Sequence, residues 1–307
     1  MIHSRGFWIL IAAALLGLWV WPAAAAPPEV KAGAEPITEL AQMGSGKKRR
    51  GGGKRKKREK LGLQSGDVNS PMHPAASREL QERTGLIKTG LKPVYPDDAT
   101  CLEVKSFFGD QTRYDGSARA PFANHGYHGG FDVSADIGTP LVAIADGEVV
   151  HKYVGGRLVG IQIILRHTPD DTGLSVYVYT KYKHFDQMPD LELGDRVKMG
   201  QVLGPSGRTG TTGGHFGDAG YPHLHMSIYT STSPDYKTKE KSVIPADVHQ
   251  LDPVAIYLPA APANVSSHAA RDLPDAQKDV IVPYATADGT ITPEGARLIW
   301  PFRCEPR

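Results

Sequence analysis

The chain has 307 residues, enough for one sizeable domain or two small ones. Its composition is ordinary for a soluble protein, with 40% hydrophobic residues, 22% charged residues and a net charge of +2. The 34 glycines and 24 prolines favour many turns and argue against a helical bundle.

The first residues predict an export signal. An apolar run from Phe7 to Trp21 follows Arg5, and Pro22 and four alanines come next. This order is typical of a signal peptide that is cleaved after small residues, so we expect a signal peptide over residues 1–26. Export would place the protein in the periplasm or elsewhere in the cell envelope, or outside the cell. An uncleaved membrane anchor is the alternative, although the apolar run is short for a span of about 20 residues.

Residues 27–106 are predicted to be a flexible, basic N-terminal arm, because they lack sustained periodicity and have few large apolar residues. Residues 47–60 hold ten Lys or Arg and one Glu, so the rest of the chain carries a net charge of −7. This run could bind an anionic wall polymer or lipid, or it could be a solvated spacer. We expect no nucleic-acid partner, since the protein is exported and no aromatic residue interrupts the cations. Within the arm, residues 76–84 could form a short helix.

The two cysteines, Cys101 and Cys304, lie at the edges of the part that is predicted to fold. In an oxidising compartment they could form one disulfide that ties its ends together. The alternative is two free thiols. The chain has no CxxC pair, so zinc ligation by cysteine is not expected.

Residues 107–258 predict a mainly β, antiparallel domain. Short β-rich runs bounded by glycines occur at 141–153, 158–167, 174–185, 201–204 and 223–229. Within the first run, Asp146-Gly147 predicts a two-residue hairpin turn. Residues 259–307 are rich in Pro and Ala, and we predict a tail that packs back on the domain. A tail that is disordered except at its apolar end is the alternative.

Three histidine motifs stand out within the β domain. His223 and His225 are two apart on a predicted strand, so both imidazoles point to one face. His128 and Asp132 are four apart, too far to share an ion on a straight strand, but the two glycines between them permit a tight bend. His184 ends a stripe formed by residues 176, 178, 180 and 182, which would share its face. Each motif alone also fits an ordinary surface or core role.

Together, in this order, the three motifs resemble the lysostaphin/LytM family of zinc endopeptidases. The family pattern is H-x-x-x-D, then a histidine that ends a strand, then H-x-H, and the chain has HGGFD, YKH and HLH. Flanking segments also match, including GTPLVAIADGEVV and LDPVAIYL. The resemblance covers about residues 107–258 and implies a narrow antiparallel β groove that holds one zinc ion and cuts the peptides of peptidoglycan.

The resemblance also implies a role for each motif residue. His128, Asp132 and His225 match the zinc ligands, and His184 and His223 match the catalytic pair. Three protein ligands leave a fourth position for water, as a catalytic zinc site requires. The chain has no HExxH motif, so no glutamate base is offered in that way.

The chain departs from the family pattern in two places. The loop before HLH is longer than is typical and carries an additional histidine, His215, and Met226-Ser227 replace the usual Phe-Glu. These changes put substrate choice in doubt. His125 and His167 lie near the motifs in sequence, and we predict that His167 is the one closer to the site.

The sequence leaves two other functions open. A wall-binding or regulatory protein could keep the fold without cutting, although such relatives usually lack some zinc ligands and this chain has all five site residues. Alternatively, the basic arm could be the functional part and the β domain a scaffold.

Overall fold

The computed structural model describes residues 70–211, 221–259 and 265–307. The predicted signal peptide, the basic run at 47–60 and His215 lie outside the described residues. No helix in the described ranges is both long enough and apolar enough to cross a membrane.

Helices are short throughout the described ranges. The α-helices are α1 (Arg78–Arg83), α2 (Pro169–Thr172) and α3 (Ser267–Arg271), and 3-10 turns span Asn124–Gly126, Ala255–Tyr257 and Asp275–Gln277. Helix α1 lies within the helix that was predicted at 76–84, and it begins where the Ser77 hydroxyl accepts a hydrogen bond from the Leu80 backbone N–H.

The strands are β1 (Lys92–Val94), β2 (Ala99–Thr100), β3 (Val104–Ser106), β4 (Phe131–Ser134), β5 (Pro140–Val142), β6 (Gly147–Val154), β7 (Ile161–His167), β8 (Tyr177–Phe185), β9 (Arg196–Val197), β10 (Val202–Pro205), β11 (His223–Ser231), β12 (Tyr236–Lys239), β13 (Ser242–Pro245), β14 (His249–Leu251), β15 (Asp279–Ile281), β16 (Tyr284–Thr286), β17 (Ile291–Thr292) and β18 (Arg303–Pro306).

One antiparallel sheet of eight strands dominates the described part, in the order β3-β4-β11-β8-β7-β6-β9, with β14 also paired to β11. Strand β8 shows why the sheet has two different faces. Side chains alternate between the two faces along this strand, so Val178 and Tyr182 point toward the main core, whereas Lys181 and Lys183 point to the opposite face. The mainly β, antiparallel fold that was predicted is therefore present.

The predicted hairpin at Asp146-Gly147 is wrong. Strand β5 pairs with β10 and strand β6 pairs with β7 and β9, so the two strands that flank this dipeptide do not pair with each other. Gly147 is instead placed where a side chain would collide, because a Cβ there would lie 2.6 Å from Nδ1 of His167. The Asp146 carboxylate accepts a hydrogen bond from the Met199 backbone N–H.

Residues 70–106 differ from the flexible arm that was predicted for them. Besides α1 and three strands, this segment has buried apolar side chains, including Leu86 and Leu91. Strand β1 pairs in parallel with β15, and β2 pairs with β18. Although large apolar residues are sparse in this segment, these two are buried, and β1 and β2 obtain their partners from the C-terminal part of the chain.

The C-terminal part also packs into the main core. Trp300 is fully buried, its ring lies 5.2 Å from that of Phe131, and its indole N–H donates to the Leu102 carbonyl. A disulfide joins Cys101 to Cys304, so the first of the two possibilities that the sequence left open, one bridge, is the one found. Strand β4, which carries Asp132, is therefore backed by side chains from both ends of the described chain.

Candidate metal centre and groove

His128 lies in a bend immediately before β4. Its Nδ1 is 3.0 Å from the Phe107 carbonyl oxygen, which can only accept, so Nδ1 carries the proton and Nε2 carries a lone pair. That Nε2 lies 3.0 Å from Oδ1 of Asp132. The bend therefore brings His128 and Asp132 together across four residues.

The glycines of this motif are required for space rather than for an unusual backbone angle. Neither Gly129 nor Gly130 has a positive φ. A Cβ on Gly130 would lie 2.2 Å from the Met226 carbonyl oxygen and 3.0 Å from Nε2 of His225. Glycine thus allows β4 and β11 to approach closely beside the candidate ligands.

Strand register places the third candidate ligand. His225 in β11 is directly opposite Asp132 in β4, and its Nδ1 lies 2.9 Å from Oδ1 of Asp132 and 3.0 Å from Nε2 of His128. One ligand atom from each of the three residues lies within 4.8 Å of the others. Nε2 of His225 lies 3.0 Å from the Ser227 hydroxyl, which leaves Nδ1 facing the other two residues.

This donor set fits a cation. Burial lowers the pKa of His128, so its ring is neutral and its Nε2 lone pair points at a carboxylate. Two such electron-rich atoms repel each other unless a positive charge lies between them. Two imidazoles and one carboxylate are suitable ligands for a catalytic zinc site.

Arg119 holds the outer side of Asp132. Its Nη2 lies 3.1 Å from Oδ2, whereas Oδ1 faces the histidines. Burial alone would raise the pKa of Asp132, but the close approach of the His128, His223 and His225 rings outweighs burial and holds that pKa well below its ordinary value. The carboxylate is therefore ionised, as a metal ligand must be. No sequence motif marks Arg119, which lies in an irregular loop, and sequence reasoning missed it.

His184 and His223 form a second pair beside the three candidate ligands. Their ring centroids are 4.7 Å apart, and that of His184 is 6.0 Å from that of His225. Nδ1 of His184 donates to the Thr209 carbonyl, and Nδ1 of His223 donates to the Tyr221 carbonyl. Burial lowers the pKa of both rings, so each is a neutral imidazole whose Nε2 lone pair is available to take a proton.

The position of His184 differs from the shared face that was predicted for it. Val178 and Tyr182 point into the core, but His184 has φ 70°, and the register between β7 and β8 shifts at this point. This bulge rotates the ring out of the alternation and into the site. The alternation of residues along β8 gives no sign of this rotation of the His184 ring.

The five predicted site residues line a single groove with a volume of about 590 Å³. Its floor continues past them along β8, through Lys183 and Lys181. Burial and the neighbouring Lys181 lower the pKa of Lys183 to about 7, and burial lowers that of Lys181 to about 8. Sequence reasoning missed both lysines, although alternation within YVYTKYKHF was a usable signal for the face they share.

The other predicted histidines do not join this group. His167 lies toward the opposite end of β7, paired with Val178, and its ring contacts the Asp146 carbonyl and the Thr180 hydroxyl. The prediction that it lies closer to the site is therefore wrong. His125 contacts the Ala76 carbonyl through Nε2 and does not line the groove.

Comparison with known proteins identifies relatives for the part of the chain that carries the site. The family model of peptidase family M23 matches residues 126–239. The chain is 33% identical over 113 residues to the glycyl-glycine endopeptidase ALE-1 of Staphylococcus capitis, which covers 36% of this chain and 26% of that protein. It is 38% identical over 101 residues to the peptidoglycan DD-endopeptidase ShyC of Vibrio cholerae, which covers 33% of this chain and 20% of that protein.

A solved structure also resembles the chain. The catalytic domain of lysostaphin from Staphylococcus simulans is 28% identical, with 42% of this chain and 78% of that chain covered and a TM-score of 0.30. The match to ALE-1 spans about a quarter of that protein's length, and the match to ShyC spans about a fifth.

Proposed function

We propose that this chain, in which residues 126–239 are a peptidase family M23 domain, is a zinc-dependent endopeptidase that hydrolyses peptide bonds in the stem peptides or cross-links of peptidoglycan. The observation that carries the proposal is the convergence of His128, Asp132 and His225 beside a second pair of neutral histidines. The family match supports it independently.

In this proposal His128, Asp132 and His225 hold one zinc ion. When bound, the ion would polarise the scissile carbonyl and acidify a water molecule. Asp132 contributes the only negative charge among the three ligands, and Arg119 fixes the orientation of its carboxylate. The Nδ1–H of His128 is held by the Phe107 carbonyl, which fixes the tautomer of that ligand.

His184 and His223 are the proposed catalytic residues. Each has its Nδ1–H committed to a backbone carbonyl, so each can accept a proton only at Nε2. One of them takes the proton of the attacking water at Nε2, and the Nε2–H that this forms can then donate to the oxygen that becomes negative in the transition state.

The substrate class follows from the relatives. ALE-1 is named as an endopeptidase for glycyl-glycine bonds and ShyC as a DD-endopeptidase of peptidoglycan, so both names give an endopeptidase but differ in the bond. We propose peptidoglycan peptides, which the name of ShyC gives, as the substrate class of this chain. The proposal includes export to the periplasm or cell surface through residues 1–26, and attachment of residues 47–60 to an anionic wall polymer or lipid.

The test uses purified, zinc-loaded protein with intact peptidoglycan, and released fragments are identified by mass spectrometry. Replacing His184 or His223 with Ala should reduce turnover at least about 100-fold while one zinc stays bound. His225→Ala should lose the zinc itself. His249→Ala, which changes an exposed histidine of β14, serves as the matched control. Equal zinc loss in all three site variants would contradict the division into ligands and catalytic pair, and absence of fragments with zinc bound would favour a non-cutting wall-binding protein.

A further inference from the structure

The floor of the groove next to the histidine cluster is positively charged. Lys181 and Lys183 both point into the groove from β8, and Arg157 and Lys239 also line it. Of the described residues that line the groove, Asp115 and Asp132 are the ones with carboxylates. The groove therefore presents more positive charge than its own acidic residues neutralise.

The amines of the two floor lysines are held by neutral groups. Lys183 Nζ donates to the Leu158 carbonyl at 2.8 Å, and Lys181 Nζ donates to the Ser242 hydroxyl at 3.1 Å. Neither makes a salt bridge to a carboxylate in the ranges that the structure describes. In its ammonium form each amine has three donors and commits one of them to its neutral partner, so both retain capacity to donate to a ligand.

The acidic groups nearby are already committed. Both oxygens of Asp132 are engaged, one by Arg119 and the other by the histidines. The Asp115 carboxylate is fully exposed and bonds to the Ser117 backbone N–H. Burial of two unneutralised amines is costly, and a carboxylate supplied by a ligand would offset that cost.

The register fixes where such a carboxylate would lie. Lys183 is directly opposite His225, and Lys181 is directly opposite Ser227. Neighbouring strands are about 4.8 Å apart, and residues two apart on a strand are about 7 Å apart. The two lysines therefore branch from the sheet within about one or two residue lengths of His225, one of the candidate metal ligands.

We propose that Lys181 and Lys183 form a subsite for a free carboxylate of the substrate, so that the groove selects an acidic peptide over a neutral one. This inference rests on the proposed function and narrows its substrate class. A charge-assisted hydrogen bond to a carboxylate should make the acidic peptide a better substrate by about 10-fold or more. The two lysines are specificity-determining residues, distinct from the proposed ligands and the catalytic pair.

The test compares soluble cross-linked muropeptides with the same fragments after carbodiimide and ammonium chloride have converted their free carboxylates to amides. Full-length, zinc-loaded protein should show a kcat/KM at least about 10-fold lower on the amidated fragments. The double variant Lys181→Met/Lys183→Met should show an equally low kcat/KM on the untreated fragments. Amidation of the fragments should not lower its kcat/KM further. Lys92→Met, which removes one exposed cation outside the groove, should behave as the parent protein.

Binding gives a second readout that does not need turnover. The affinity of both fragment sets for the zinc-loaded His223→Ala protein is measured by fluorescence anisotropy, with thermal unfolding and zinc content as checks on each lysine variant. If the protein cuts neither set but binds the untreated fragments more tightly, the subsite proposal stands and the proposed endopeptidase function is contradicted. Equal affinity for both sets, or a preference that survives in the double lysine variant, overturns the subsite whether or not cleavage is seen.

Discussion

The Asp252 carboxyl group is buried between β14 and the segment that precedes β1. It accepts hydrogen bonds from the Thr89 hydroxyl and from the Val254 backbone N–H. Burial nevertheless raises its pKa to about 6, above the ordinary value of 3.8. The folded protein thus holds this proton more tightly than the unfolded chain does, so the free energy of unfolding falls as pH rises from about 4 to about 6 and then levels off.

Asp252→Asn should remove this pH dependence. The difference between the two pKa values corresponds to about 3 kcal/mol at most, so the variant should gain stability relative to the parent at pH 8 and little at pH 4. Urea unfolding across this pH range, with metal removed from both proteins, measures the difference. Asp279→Asn, at an exposed position in β15, controls for loss of a charge. A parallel pH profile for parent and Asp252→Asn would contradict the assignment.

At the scale of elements, the contact between β4 and β11 decides the metal centre. Gly130→Ala would place a Cβ against the Met226 carbonyl and separate Asp132 from His225. We expect a loss of about 1–3 kcal/mol in the free energy of unfolding, together with loss of stoichiometric zinc. Gly156→Ala is the matched control, since a Cβ there meets nothing within 4 Å. Zinc titration and urea unfolding measure both effects, and normal zinc binding by Gly130→Ala would refute this account of the glycine.

The same elements show what could be read from the sequence. The alternation in HLH and the glycines of HGGFD predicted that these side chains converge, because a strand period and a bend are local properties of the chain. The bulge at His184 is different, since it arises from a register shift against β7 and leaves no mark on the residues of β8. Asp146-Gly147 is the reverse case. Its local turn preference was overridden because β5 pairs with β10 instead of β6.

At the scale of the whole molecule, the described segments that precede residues 126–239 pair with the segments that follow them. Strand β1 pairs with β15, β2 pairs with β18, and Trp300 packs on Phe131 beneath the site. These pairings join segments that are about 200 residues apart, as the separation of 203 residues between the bridged cysteines shows. No local pattern specifies such partners, so the sequence predicted a flexible arm where strands and buried side chains are found.

The Cys101–Cys304 disulfide should therefore stabilise the fold without being part of the metal centre. Closing a loop of 203 residues lowers the entropy of the unfolded chain, which corresponds to about 5 kcal/mol at most. We expect Cys101→Ala/Cys304→Ala to lower the free energy of unfolding by up to that amount and to bind zinc with unchanged stoichiometry below its melting temperature. The proposed zinc ligands Asp132 and His225 are positioned by the register of β4 and β11, which the substitutions leave unchanged. Urea unfolding of the oxidised parent, the reduced parent and the double variant separates the loss of the bond from the change of side chain. A stability that reduction leaves unchanged, or loss of zinc from a double variant that remains folded, would contradict a purely stabilising role for the disulfide.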